Sequence, residues 1–172
     1  MERYKNILFL VLIILISSCA SLDVTRKTTY SLEVKEFNGI KHYKNGNYEK
    51  AFNLLKEPAA WGYKGSQYVI AFMFLKGEYV EQSTLLGMGW FGVAEEANVK
   101  NWTEQYNAFY NAATRDQKLK FDKIKNIYIQ RYGLVAQRIT CRKSTSAKSK
   151  IVKVDCHKYD GISVLYDIDL VE

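Results

Sequence analysis

The chain has 172 residues, 14% of them aromatic, with ten scattered glycines and a single proline, Pro58. That composition excludes a disordered or low-complexity chain and points to one compact, mainly helical domain with a real core. The formal charge of +7 is regional: residues 20–114 balance at ten basic and ten acidic side chains, 115–153 carry twelve against two, and 154–172 carry one against five. The basic stretch therefore either serves an anionic partner or is partly neutralised by the acidic C-terminus folding back.

Residues 1–6 are a short charged start, and 7–16 (ILFLVLIILI) are apolar without a break. Ten residues of helix rise about 15 Å, too little for a membrane span of roughly 20 residues. With the basic flank they read as a secretory signal peptide over 1–18, the competing readings being an uncleaved anchor or an ordinary signal peptide with a chance cysteine after it. Ile16-Ser17-Ser18-Cys19 resembles the lipobox of bacterial lipoproteins. The resemblance implies cleavage before Cys19 and a covalent diacylglycerol on its thiol. Ala20 and Ser21 are similar to an outer-membrane sorting signal, which implies a periplasm-facing anchor. Residues 19–32 are expected to form a tether, with the domain beginning near Glu33.

Residues 36–45 and 48–61, joined at Gly46-Asn47, are predicted as a first helix pair. Tyr48, Ala51, Phe52, Leu55 and Ala59 recur at helical spacing in its second member. Pro58 predicts a kink or an early stop, because inside a helix it removes a hydrogen bond. A second pair starts at Gly65-Ser66. Residues 68–75 are an unbroken apolar run that periodicity cannot assign, but Tyr43-Lys44-Asn45-Gly46-Asn47-Tyr48 returns as Phe74-Leu75-Lys76-Gly77-Glu78-Tyr79. Downstream, Ala51, Leu54 and Leu55 correspond to Gly87, Trp90 and Phe91. Similarity at this period means stacked helix pairs.

Gly65, Tyr68, Ala71, Phe74, Gly77, Gly87, Trp90, Ala94 and Glu95 resemble the Sel-one-like repeat, and Asn47-Tyr48-Glu49-Lys50-Ala51 resembles its tetratricopeptide relative. The similarity covers about residues 37–98. It departs at Pro58 and at Gly87-Met88-Gly89, where the family commonly has alanine. It implies an α/α repeat stack and a protein-binding or scaffolding role, with Tyr43, Gly46, Tyr48, Ala51, Leu55, Gly65, Ala71, Phe74, Gly77, Gly87, Trp90 and Ala94 as packing positions. Two copies are fewer than a solenoid needs, so the flanking helices are expected to cap the stack.

Gly87-Met88-Gly89-Trp90-Phe91-Gly92 also satisfies the G-x-G-x-x-G pattern of dinucleotide sites. Such a site needs an apolar strand before it, whereas Glu81-Gln82-Ser83-Thr84 is a poor strand and Trp90 and Phe91 would crowd a pyrophosphate. Close helix packing explains the glycines better, on a helix from Ser83 with Leu86, Trp90, Val93, Ala94 and Ala97 along one face.

Asn101-Trp102-Thr103-Glu104 reads as a helix cap, with Tyr106, Phe109, Tyr110 and Ala113 on the core side. Thr114-Arg115-Asp116-Gln117 is a second capping box, followed by Leu119 (or Phe121), Ile124, Tyr128 and Tyr132 up to a C-cap at Gly133. The helical domain thus spans 33–133. Lys118, Lys120, Lys123 and Lys125 fall largely off the apolar stripe. With Arg142 and Lys143 they are candidate contacts for an anionic surface, a lipid head group or polysaccharide phosphate rather than nucleic acid.

Residues 134–172 are predicted as a β region. Strands over 135–144 and 151–157, with a turn at 147–150, place Cys141 opposite Cys156 and Arg142 opposite Asp155. An even cysteine pair in an exported domain reads as a disulfide, and closing this loop contributes on the order of 3 kcal/mol. Asp160-Gly161 signals a turn, and 162–170 alternates as a third strand. A zinc site at Cys141, Cys156 and His157 lacks a nearby fourth ligand, and no constellation for nucleophilic or acid–base catalysis is visible; Glu95 and Glu96 diverge by about 100° on a helix. Mainly α with a small disulfide-linked β hairpin or three-stranded sheet is the expected fold. No cofactor or metal is expected beyond the lipid. The expected function is a non-enzymatic envelope interaction module binding another envelope protein. The alternative is a binder of an anionic envelope polymer or lipid through 115–153.

Overall fold

A computed structural model describes residues 29–145, 152–159 and 165–172. The expected signal peptide, Cys19, most of the expected tether and the turns expected at 147–150 and Asp160-Gly161 lie outside the described residues. Among the described residues six α-helices precede a two-stranded antiparallel sheet: α1 (Thr29–Lys44), α2 (Tyr48–Ala60), α3 (Lys64–Lys76), α4 (Thr84–Ala94), α5 (Lys100–Ala112), α6 (Arg115–Tyr132), β1 (Ile139–Thr145) and β2 (Val152–Lys158). The mainly helical class with a small disulfide-linked sheet is as expected. Among the described residues no helix is long and apolar enough to cross a membrane.

The helix α4 is the centre, packed on α3 along one side and α6 along the other. The expected single apolar face does not describe it, because every residue from Leu86 to Ala94 is buried. A helix apolar all round belongs in an interior. Its glycines stand at contacts with two different helices. A Cβ on Gly87 would meet the Leu75 side chain at 2.7 Å and the Ala71 carbonyl at 3.1 Å on α3, while one on Gly89 would meet Ile124 and Tyr128 on α6. Three helix glycines cost roughly 1 kcal/mol each relative to alanine. Fully burying a large apolar side chain contributes about 1.5–3 kcal/mol, so Trp90, Phe91 and Met88, all wholly buried, offset that cost. Trp90 stacks on Tyr132 at 4.6 Å and meets Tyr128 at 5.0 Å, which fastens α4 to α6.

Several local expectations are corrected. The helix α1 begins at Thr29 rather than at residue 36, because Leu32 is buried and starts the face that continues through Glu36, Ile40 and Tyr43. Pro58 does not stop α2 early. It sits in the last turn, and the helix ends two residues later at Ala60. Asn101 is not a cap: α5 starts at Lys100 after Val99, which offers no side-chain cap, and Asn101 accepts instead from Gln105 within the helix. On α6 the Thr114–Gln117 capping box forms in full, and Phe121 takes the core position while Leu119 is exposed. Gly133 is the C-cap of α6, as expected, though in an extended rather than left-handed conformation. Phe109, expected on the core side of α5, is 42% exposed.

Two turns set the spacing of the helix pairs. Gly46 and Gly77 both have left-handed backbones, at φ of +76° and +69°, a region only glycine enters at no steric cost. In the sheet, Cys141 pairs with Cys156 and Arg142 with Asp155, the expected register, and the two cysteines form a disulfide. The sheet has two strands among the described residues, not three. Residues 165–172 form no ladder and cross the helices instead. There Tyr132 Oη donates to the Asp167 carbonyl at 2.6 Å, and Arg131 pairs with Asp169 at 3.5 Å. Asp169 thus folds back onto Arg131 of the basic 115–153 stretch, a partial neutralisation of that stretch by the acidic C-terminal residues.

Gly87→Leu is expected to lower stability by about 3 kcal/mol, the upper end of ordinary overpacking, because Leu75 and the Ala71 carbonyl leave no room. A thermal melt checks this; an unchanged melting temperature contradicts the packing role assigned to Gly87.

Candidate functional site

Two features collect chemically capable side chains, and their surroundings separate them. The first is a buried cluster where helix ends converge. Lys64, in the first turn of α3, is 3% exposed. Its ammonium donates to Gln67 Oε1 at 3.0 Å, the Val93 carbonyl at 3.0 Å and Glu96 Oε2 at 2.9 Å. An ammonium has three donors, and all three are used. Glu96 Oε2 also accepts from the Leu134 amide at 3.0 Å. Gln67 Nε2 donates to the carbonyls of Ala59 and Tyr132, both at 2.9 Å. The cluster therefore ties the ends of α2, α4 and α6 to the start of α3. Burial lowers Lys64 to about 8, with Glu96 pulling the other way. A lowered lysine suggests chemistry, but with every donor occupied and no exposed face this one serves as a structural tie. Its neighbour Glu95 points elsewhere and pairs with Lys125 at 2.8 Å, so the two consecutive glutamates serve two separate lysines.

The start of α3 is capped from another helix. Tyr63, at the cap position, makes no side-chain cap. Glu36 of α1 instead accepts from the Ser66 amide at 2.8 Å and from Ser66 Oγ at 3.2 Å. Burial holds Glu36 above its ordinary value despite these hydrogen bonds. Gly65 is what admits it, because a Cβ there would lie 2.8 Å from Glu36 Oε1.

The second feature is an open groove of about 350 Å³ lined by Tyr43, Tyr68, Phe72, Lys76, Gln105 and Phe109, over buried Val69. These come from α1, α3 and α5, the first members of successive helix pairs. Tyr68, Phe72 and Lys76 recur every four residues and so share one face of α3. Tyr68 stacks on Trp102 of α5 at 4.4 Å with the rings 14° from parallel, and its hydroxyl donates to Gln105 Oε1 at 2.8 Å. Phe72 reaches Phe109 at 6.4 Å. At one end the Lys76 ammonium lies 5.6 Å from the Phe72 ring and 5.8 Å from that of Tyr43. It donates to the Tyr43 hydroxyl at 3.3 Å and pairs with Glu78 at 3.5 Å. Burial and then Glu78 hold the Tyr43 phenol well above its ordinary value. The groove is thus a run of aromatic faces with a cation and an amide at fixed points, a surface suited to apolar and polar contact together.

The residues singled out from sequence are divided among these surroundings. Ala51, Leu55, Ala71, Phe74, Trp90 and Ala94 are wholly buried, and Gly87 is buried with them. Tyr43 and Tyr48 are half-buried, with ring centroids 5.6 Å apart. Of the basic candidates, Lys120, Lys123, Arg142 and Lys143 are exposed. Lys118 lies over the Tyr110 ring at 5.4 Å, and Lys125 over Tyr106 at 4.6 Å in addition to its carboxylate partner. The six do not converge on one site. Among the described residues no group of His, Cys, Asp and Glu is arranged to hold a metal ion. Phe72 and Gln105 were not singled out from sequence: the apolar run over 68–75 has no period to mark one face as outward. No protein-family model matches the chain, and no curated protein or solved structure is significantly similar to it.

The buried lysines and tyrosines predict an alkaline stability profile. Lys64 and Lys158 are both lowered to about 8 from 10.5, chiefly by burial. Between those values the unfolded chain holds protons that the folded chain has released, so stability rises with pH. Tyr63 and Tyr132 are raised to about 12 from 10.0, again chiefly by burial, so above pH 10 the folded chain retains protons that the unfolded one loses and stability falls. Melting temperatures measured across pH 7–11 are expected to rise from about pH 8 and fall beyond about pH 10, with a smaller rise for Lys64→Met. An identical rise in that variant contradicts the burial of the Lys64 charge.

Proposed function

We propose that the chain is a non-enzymatic interaction module of the bacterial cell envelope. In this reading it is anchored by lipid on Cys19 at the outer membrane, facing the periplasm, and holds a partner protein in the groove of α1, α3 and α5. The observation that carries it is the groove itself. Exposed and half-exposed aromatic side chains from alternate helices line one surface, and Lys76 and Gln105 stand at defined points along it. Aromatic side chains concentrate binding energy at protein interfaces, and Lys76 at the groove's end adds a charged contact beside them. The resemblance of residues 37–98 to Sel-one-like and tetratricopeptide-like repeats supports the same reading, since both families bind other proteins. The lipobox-like Ile16-Ser17-Ser18-Cys19 and the short apolar segment before it support the location.

The basic-surface alternative has weaker support, because Lys118 and Lys125 are engaged within the fold and the exposed basic residues are split between α6 and the hairpin. A photo-activatable residue placed at Phe109 in the native envelope is expected to capture one protein. Phe72→Ala or Lys76→Glu in that background should reduce the yield by about tenfold or more with the fold intact by circular dichroism. Adducts of glycan or lipid, or a yield indifferent to both substitutions, sink the groove as a protein-binding site.

A further inference from the structure

The C-terminal residues 165–172 behave as a bound peptide would. They adopt no helix or strand and are held by side chains of the helical body. Tyr132 Oη donates to the Asp167 carbonyl at 2.6 Å, Arg131 pairs with Asp169 at 3.5 Å, and Ser83 Oγ donates to Glu172 at 2.7 Å. The Tyr166 ring lies 5.4 Å from the Arg131 guanidinium and 6.2 Å from Tyr132, and Ile168 packs on the core. The occupant fits its seat incompletely. A cavity of about 510 Å³ stays open between it and Phe52, Lys56, Glu57 and Ala60 of α2. Leu165, Leu170 and Val171 are 45%, 51% and 71% exposed. An occupant with bulkier apolar side chains and the same acidic groups would fill that space while keeping the cationic contact.

We infer that this seat, on α2 and α6 and the head of α4, is a second binding groove. It takes an extended peptide that alternates acidic and apolar residues, and the chain's own C-terminus occupies it until a partner protein presenting such a segment displaces it. Three features argue for this occupant: the charge complementarity of Arg131 with Asp169, the hydroxyl of Ser83 directed at a carboxylate, and the unfilled space beside the segment, lined by Phe52 and Ala60 as well as by Lys56 and Glu57. The seat lies on the second members of the helix pairs, whereas the aromatic groove lies on the first, so the two surfaces are separate. Displacement requires only local opening, because the segment contributes no ladder or helix to the body. The tethered segment competes at high effective concentration, so a partner must bind more tightly than the tail does in isolation.

The probe is a fluorescent synthetic peptide with the sequence of residues 165–172, LYDIDLVE, titrated against the full chain. It is expected to bind the Ile168→Glu chain, whose own tail is detached, about tenfold or more tightly than the intact chain. Adding Arg131→Glu to that background should abolish the gain. Equal affinity for both chains, or binding to neither, overturns the inference. Should Ile168→Glu fail to fold, Tyr166→Ala in the same segment takes its place: peptide binding about tenfold tighter than to the intact chain supports the inference, and equal affinity overturns it. Dimers of the intact chain that vanish in Ile168→Glu would identify a second copy as the occupant and overturn the partner reading.

Discussion

The position of the Lys64 ammonium is the constraint on which the rest of the structure depends. A lysine taken out of water is costly unless its charge is matched and every donor is used, and here Gln67, the Val93 carbonyl and Glu96 meet that demand together. Gln67 lies in the first turn of Lys64's own helix, and Val93 and Glu96 lie at and just beyond the end of α4. Gln67 extends the cluster to the last carbonyls of α2 and α6, and Glu96 extends it to the Leu134 amide. A shift of any one of these ends leaves a buried polar group unpaired. The cluster therefore specifies how the helices meet, while the apolar packing around α4 supplies most of the stabilisation.

With the helix ends held this way, the two faces of the stack differ. The first members of the pairs present half-buried aromatic rings along an open groove. The second members face the core through Trp90, Tyr128 and Tyr132 and carry the C-terminal segment outside them. Glu36 belongs to the same design. It caps α3 from α1, which fixes two walls of the groove relative to each other through Gly65. Side chains that anchor the fold and side chains that line the groove thus sit on the same helix α3, and the groove's geometry follows from how its first turn is held.

Much of this was legible in the sequence, for identifiable reasons. Gly46 and Gly77 mark two turns because each repeats in the same local context. The Cys141–Cys156 pairing and its register follow from β-branched flanks and from these being the two cysteines beyond Cys19. The Thr114 capping box is a local device and is read locally. What was not legible depends on partners distant in sequence. Lys64 and Gln67 look like an ordinary polar helix start until Val93, Glu96 and Tyr132 converge on them. Asn101 matches a cap pattern, yet α5 begins one residue before it. Residues 165–170 alternate as a strand should, but extended chain can equally lie along helices when Tyr132 and Arg131 offer it partners. The aromatic groove was hidden for a further reason: α3 is apolar on nearly all sides, so no periodicity separates its outward ring faces from its core.

A double-mutant cycle on Lys64→Met and Glu96→Gln tests most directly whether the buried pair governs helix assembly. Removing the Glu96 charge alone strands a buried ammonium and is expected to cost about 3 kcal/mol in denaturant unfolding. In the Lys64→Met background the same change should cost less than about 1 kcal/mol, a coupling of roughly 2 kcal/mol. Additive effects of the two substitutions would contradict the account.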